Sequence, residues 1–332
     1  MSHEVETMFS GSNQRPWHGL GTILPGRLTT AEAIVAAGLD WSVELHEVQA
    51  KMPDGTLLPV PDRRAVVRDT DRRVLGTVGL GYSPLQNRDA FAIVEPLVAA
   101  SEGVWETAGS LWGGRAVWAL AKLPGEIVVR RPGGIEDPVK GYLLVTNRHD
   151  GTQAVQIKLT PIRVVCRNTL GQALVGGSLN IRHTAGVVER VRDASEQLGL
   201  VNKLTAELGE AFNAMAATNL TDAQALTYFR RTLREWATPV ELSEEDAVRD
   251  DVETVESLSR RLNKVLDLYE SGRGAELSRG TAWGAYNAVT ELIDHETGYR
   301  SDDGRVANVL LSGDGHATKA RAYRNAIQLA AR

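Results

Sequence analysis

Cysteine occurs once in the 332 residues, as Cys166, so no disulfide can close within the chain. No apolar run comes near the roughly 20 residues of a membrane-crossing helix. The opening stretch MSHEVETMFSGSNQRPWHGLGT also lacks the apolar centre of a secretory signal. These absences exclude a disulfide scaffold and a helical membrane protein, and they make a reducing cytoplasm the expected location. Ligand spacing for metals is missing too. His18, His149, Asp150, His183, His295 and His316 form neither HxxxH nor HExxH, and a single cysteine rules out the usual zinc clusters, so no metal site is predicted.

Nucleotide signatures fail on context. GTVGLG at Gly76–Gly81 is followed by Tyr82-Ser83-Pro84 rather than by a helix. SGDGHATK at Ser312–Lys319 has glycines before a lysine without the spacing of a phosphate loop, which leaves a loose candidate for an anion nest. No cofactor is predicted. Kinase, nucleophile-elbow and paired-carboxylate patterns are absent, so the balance favours a protein that is not an enzyme, although a site assembled across the fold would leave no linear trace.

What is present is a globular composition, 42% hydrophobic and 24% charged with a mean hydropathy of −0.21, and enough length for two domains. Leu28 to Gly38 predicts a short helix capped by Thr29 or Thr30. Then the apolar period drops to two at Trp41, Val43, Leu45 and Val48, and RRAVVRDTDRRVLGTVG predicts two strands joined at Asp69–Arg72. A helix over Gln86–Ala100 precedes strands at Val104–Leu111, Arg115–Lys122, Glu126–Arg130, Gly141–Asn147 and Ala154–Leu159. Helical spacing follows at Cys166–Leu174. After SLNIRHT it returns over Val187–Ala217, Thr221–Trp236, Glu244–Tyr269, Gly280–His295 and Thr318–Ala331, with Asp222 and Ser243 as N-caps and Gly272 and Gly298 as stops. The expected fold is α+β: a mainly antiparallel β-rich domain over residues 1–185, with a few helices, then an acidic helical domain over 186–332.

Charge divides the same way. Residues 1–111 carry a net −5, residues 112–192 a net +7 and residues 193–332 a net −7. The basic centre places Arg115, Arg130, Arg131, Lys140, Arg148, Lys158, Arg163, Arg167 and Arg182 among Trp112, Trp118 and Tyr142. Cations beside aromatics on a sheet suit single-stranded nucleic acid, which needs phosphate neutralisation and stacking. An equally open reading is a face on which the acidic helices dock. Alternation along GRAVWALAKL also puts Trp118 with Ala116 and Leu120, a core position. Cys166 between Arg163 and Arg167 could be an activated thiol, but a buried structural cysteine is the simpler account. His149-Asp150-Gly151 reads first as a hairpin turn.

Taken together, PWHGLGT (Pro16–Thr22), YSPLQNRDAF (Tyr82–Phe91), GGRAVWALAKLP (Gly113–Pro124), YLLVTNRHDGTQAV (Tyr142–Val155), TPIRVVCRNTL (Thr160–Leu170), IRHT (Ile181–Thr184) and GTAWGAYNAVTELIDH (Gly280–His295) resemble the phage/plasmid-like protein family, filed as domain of unknown function 932. Arg167 stands where that pattern often has Gln, and Leu292 where it often has Tyr. The resemblance implies cargo of phages and plasmids in the cytoplasm of a bacterial host, with no catalytic residues to carry over. Antiparallel strands followed by a helix are loosely similar to single-strand annealing proteins, a likeness at the level of fold.

The leading expectation is a DNA-metabolism accessory that binds single-stranded DNA without catalysis. Arg163, Arg167, Arg148, Lys158, Arg182 and Arg115 would contact phosphates, Trp112 or Tyr142 would stack on bases, and a homo-oligomer could assemble through the helical part. The first alternative is a protein-interaction module, an anti-restriction or host-takeover factor that engages a host protein through the acidic run Glu241–Glu256. The second is a hydrolase or nuclease in which His149, Asp150 and His183 converge.

Overall fold

The computed structural model describes residues 8–10, 22–23, 28–92, 95, 104–163, 178–190, 200–235, 259–306, 308–309 and 313–331. The helix expected at Cys166–Leu174, the cap Ser243, the acidic run Glu241–Glu256, and the residues Cys166, Arg167 and His18 lie outside the described residues. Among the described residues no helix is long and apolar enough to cross a membrane.

The fold is α+β, with two sheets and most of the helix toward the C-terminus. Helix α1 (Thr30–Ala36) starts at a capping box in which Thr29 and Glu32 satisfy each other's backbone N–H groups, and it stops at Gly38 with φ 63°. Strands β3 (Val43–Lys51), β4 (Leu57–Arg68) and β5 (Val74–Gly79) form a small antiparallel meander. It follows two short strands, β1 (Met8–Ser10) and β2 (Thr22–Ile23), that belong to the larger sheet. After α2 (Asn87–Ala92) come β6 (Val104–Leu111), β7 (Ala116–Arg131), β8 (Ile135–Arg148), β9 (Val155–Arg163) and β10 (Ser178–Ile181). The large sheet runs β10-β9-β8-β7-β6-β1-β2, antiparallel except for the β1–β2 pair.

The sequence suggests two strands at Arg115–Lys122 and Glu126–Arg130; they are one strand, β7. Its pairing with β8 shifts register between Lys122 and Glu126, across Pro124 and Gly125. Proline has no N–H for the ladder and Gly125 takes φ 77°, so the chain bulges there and resumes pairing instead of ending.

Both faces of the central strands are covered. Val117, Ala119 and Ala121 join Leu143, Val145, Ile157 and Leu159 in the main core. The alternate residues Ala116, Trp118 and Leu120 join Tyr142, Leu144, Ile162, Val306 and Val309 in a second cluster. Trp118 is thus a core residue, as the alternation predicts.

The helices are α3 (Leu200–Ala217), α4 (Asp222–Leu233), α5 (Arg260–Ser271), α6 (Ala275–Ser278), α7 (Ala282–Glu291), α8 (Asp302–Val306) and α9 (Asp314–Ala330). The main core runs without a break from the sheet into them through Phe212, Trp283, Tyr286 and Tyr323. Two polar links fix that docking: the Arg130 backbone N–H donates to Asn213 Oδ1 at 2.7 Å, and Trp283 Nε1 donates to Asp137 Oδ2 at 2.8 Å. Helix α4 is capped by Thr221 in a box with Gln224, one residue before the Asp222 that the sequence suggests. Ser259 caps α5, and Gly272 ends it as expected. The helix expected through His295 changes at Leu292 into a π-helical turn, Leu292–Glu296.

Candidate functional site

Three chain reversals meet at one end of the large sheet. Between β6 and β7, Trp112, Gly113 and Gly114 all take positive φ, 53°, 66° and 90°. For tryptophan this left-handed conformation costs roughly 1 kcal/mol or more, so the ring is held there by its surroundings. Those surroundings are visible. The Arg148 guanidinium sits over the ring, 4.4 Å from its centroid, while its Nη1 lies 3.6 Å from the Asp150 carboxylate and its Nε donates to Gln153. Arg73, from the β4–β5 reversal, lies so close to Gly113 that a Cβ there would come within 2.4 Å of its Nη1. A Cβ at Gly76 would come within 2.7 Å of Asp150 Cα, so glycine lets the small sheet close on the β8–β9 reversal.

Beneath this surface lies a histidine pair. His149 is fully buried, and its Nε2 is 2.9 Å from Asn87 Oδ1. The Asn87 amide is oriented by its own donation to the Leu39 and Trp41 carbonyls, so its oxygen faces the imidazole. That assigns the proton of His149 to Nε2 and leaves Nδ1 without a hydrogen-bond partner. Burial, with a smaller effect of His183, lowers the His149 pKa to about 3. His183 stacks on Tyr82 with centroids 4.9 Å apart, and its ring faces the Ser83 backbone. Burial lowers its pKa to about 4 against the opposing effects of a hydrogen bond with the Ser83 backbone and, less, of Asp150. Tyr82 donates to the Arg148 carbonyl at 3.2 Å, and burial raises its phenol well above the ordinary value. At neutral pH both imidazoles and the phenol are therefore uncharged, while Asp150 accepts from the Thr152 N–H and hydroxyl.

The residues singled out in the sequence separate into groups. Arg115, Arg148, Trp112, His149, Asp150 and His183 come together at the turn end, with Arg182 beside them because Ile181 pairs with Val155 at the start of β9. Arg115 and Arg182 are exposed, as are Arg72 and Arg73 from the neighbouring reversal. Arg190 braces the Arg182 segment by donating to the carbonyls of Arg182, Thr184 and Ala185. Lys158 and Tyr142 lie along the strands. Lys158 is half-buried with its amine lowered by burial, and the Tyr142 ring is in the second apolar cluster. Arg163 pairs with Val139 at the other end of β9, roughly 26 Å from Val155 at about 3.3 Å per residue. Arg130 and Lys140 are paired with Glu136 and Glu126.

Tyr82, Asn87, Trp41 and Arg68 complete the site, and nothing in the sequence marks them as site residues one by one. Arg68 pairs with Asp71 and lies 5.3 Å from the Trp41 ring centroid. Tyr82 and Asn87 do stand in the YSPLQNRDAF motif, which is the signal that points to them. Among the described residues no group of three or more His, Cys, Asp or Glu side chains is placed to hold a metal ion.

No curated protein and no solved structure matches this chain. Residues 74–311 match a single family model, and they include the 112–115 and 149–152 reversals, Tyr82, Asn87 and His183, while Trp41, Arg68 and the β4–β5 reversal lie before the match. On that match the chain belongs to the family described as a domain of unknown function (DUF932).

Proposed function

We propose that the protein is a phage- or plasmid-encoded accessory of DNA metabolism that binds single-stranded DNA without catalysis, at the turn end of the large sheet. The observation that carries this reading is the Trp112 ring, held under Arg148 on a left-handed turn, with Arg73 against Gly113 and exposed Arg115 in the same reversal. An aromatic fixed beside cations supplies both parts of single-strand recognition, a π-face for a base and charge for the backbone. The buried faces of the sheet support a site at its rim rather than across it.

Fluorescence anisotropy with labelled single- and double-stranded oligonucleotides tests the reading. Preference for the single strand, abolished in R115E/R182E while the circular dichroism spectrum is unchanged, is the expected result. Equal binding by that variant, or no binding by the native chain, contradicts it.

One observation favours a second reading, a hydrolase or nuclease. His183 stacks on Tyr82, and the Asp150 charge acts on both. His149 is fully buried, so in such an enzyme it would position the site rather than touch substrate. Cleavage of the oligonucleotide during the same titration, abolished in H183N, would favour this reading over the first.

A further inference from the structure

The SGDGHATK segment, whose glycines and lysine suggest an anion nest, is built differently. Its lysine, Lys319, is fully buried and donates to Asp294 Oδ1 and to the Val309 carbonyl, both at 2.8 Å. It therefore pins the π-helical turn to α9 and has no reach to a ligand. Three side chains donate to carbonyls of the turn: Thr297 to Leu292 O, Tyr299 to Ile293 O and Arg305 to Asp294 O. The glycines of the segment are steric. A Cβ at Gly313 (φ 107°) would come within 2.6 Å of the Asn308 side chain, and one at Gly315 within 2.9 Å of Ile293. With glycine in both places the start of α9 lies close against the turn.

This packing leaves a cavity of about 660 Å³ between the start of α5, the π-helical turn and the start of α9, lined by Arg260, Arg261, Lys264, Tyr299, Asn308 and Asp314 among others. Its volume falls in the range of small-molecule sites and far exceeds a bare phosphate. Asn308 already uses both ends of its amide, accepting from the Gly315 N–H and donating to the Gly304 carbonyl, so it shapes the wall. Lys264 is paired with Glu296 at 3.1 Å. Arg260 and Arg261 are exposed at the mouth.

More cations gather behind them. Arg321 is fixed by donating to Thr232 O and Thr318 Oγ1. Its pKa is lowered by burial first and then by the like charges of Arg234, Arg261 and Arg324. A bond between Ser259 and Glu235 ties the end of α4 to the start of α5 and so brings Arg234 toward Arg260 and Arg261. Like-charged guanidinium groups on neighbouring elements repel one another, and an anion with several charges relieves that repulsion.

We propose that the cavity binds a nucleoside polyphosphate, with its phosphates at Arg260 and Arg261 and its nucleoside in the cavity beside Tyr299. This site is distinct from the turn end, and binding there involves no covalent step.

Isothermal titration calorimetry on the full chain tests it with ATP, pyrophosphate and adenosine as probes. ATP is expected to bind saturably, at least tenfold more tightly than either pyrophosphate or adenosine. R260E/R261E changes two exposed positions, and it should weaken ATP binding at least tenfold while leaving the thermal midpoint and single-strand binding unchanged. R261K should retain part of the affinity. No saturable heat with ATP, equal affinity in R260E/R261E, or pyrophosphate binding as tightly as ATP would overturn the proposal.

Discussion

The Arg148 guanidinium lies 4.4 Å from the centroid of the Trp112 ring, and the carbonyl of the same arginine accepts from the Tyr82 hydroxyl at 3.2 Å. One residue thus links the surface aromatic to the buried histidine pair. Replacing Trp112 with alanine removes the stacking face but keeps a Cβ at φ 53°, so the backbone strain of the turn is unchanged. Base–aromatic stacking contributes roughly 1–3 kcal/mol per base, so W112A should weaken single-strand binding about 5- to 150-fold. Anisotropy titrations check this, with urea denaturation to verify that the fold persists.

The histidines predict how stability depends on pH. His149, His183 and His316 have native pKa values lowered to about 3, 4 and 4, each by burial first. The unfolded chain, near the ordinary 6.5, binds more protons than the native one between those values and 6.5, so stability rises with pH across that window. Acidification from pH 6.5 toward 4 should therefore destabilise the protein, by up to about 1.4 kcal/mol per pH unit for each histidine. Urea denaturation at a series of pH values measures the slope. H149N should make it shallower, and an unchanged slope would refute the assignment.

The buried Lys319–Asp294 pair predicts a non-additive double mutant. K319M leaves the Asp294 carboxylate buried without its ammonium and should cost about 3–5 kcal/mol. D294N/K319M removes both charges and should cost less than the sum of the single changes. A double-mutant cycle by urea denaturation reads the difference; additive losses would show that the two groups do not act as a pair.

Gly76 predicts a link between the small sheet and the site. A methyl group there meets the Asp150 backbone at 2.7 Å, so G76A must push the two apart. Overpacking of this kind costs roughly 1–3 kcal/mol. The expected outcome is a lower thermal midpoint together with weaker single-strand binding, because the displaced reversal carries Arg148.

The sequence shows local structure well and closure poorly. The alternation in GRAVWALAKL assigns Trp118 and Val117 to opposite faces, as found, because a strand has only two faces to choose between. β6 ends where its turn residues say it should. By contrast, β7 passes through Pro124-Gly125, which reads as a stop, because pairing with β8 on both sides of the bulge outweighs the local signal. The π-helical turn at Leu292 is equally hidden, since Thr297, Tyr299 and Arg305 donate to its carbonyls from outside the turn. The site mixes both cases. Arg115, Arg148, Trp112 and His183 are visible as residue types, but the Asn87 hydrogen bond that fixes the His149 tautomer spans 62 positions. Tyr142 reads as a stacking group and its ring lies in the second apolar cluster, which a basic strand does not reveal.

The most direct test of the account is the salt dependence of single-strand binding in the native chain, in R115E/R182E and in R163E, which reverses a charge at the far end of β9. For single strands, each phosphate that the protein no longer neutralises lowers the magnitude of the slope of log K against log salt by about 0.7. The account predicts a shallower slope and weaker binding for R115E/R182E, with R163E close to native. A slope that R115E/R182E leaves unchanged while R163E flattens it would contradict the placement of the site at the turn end.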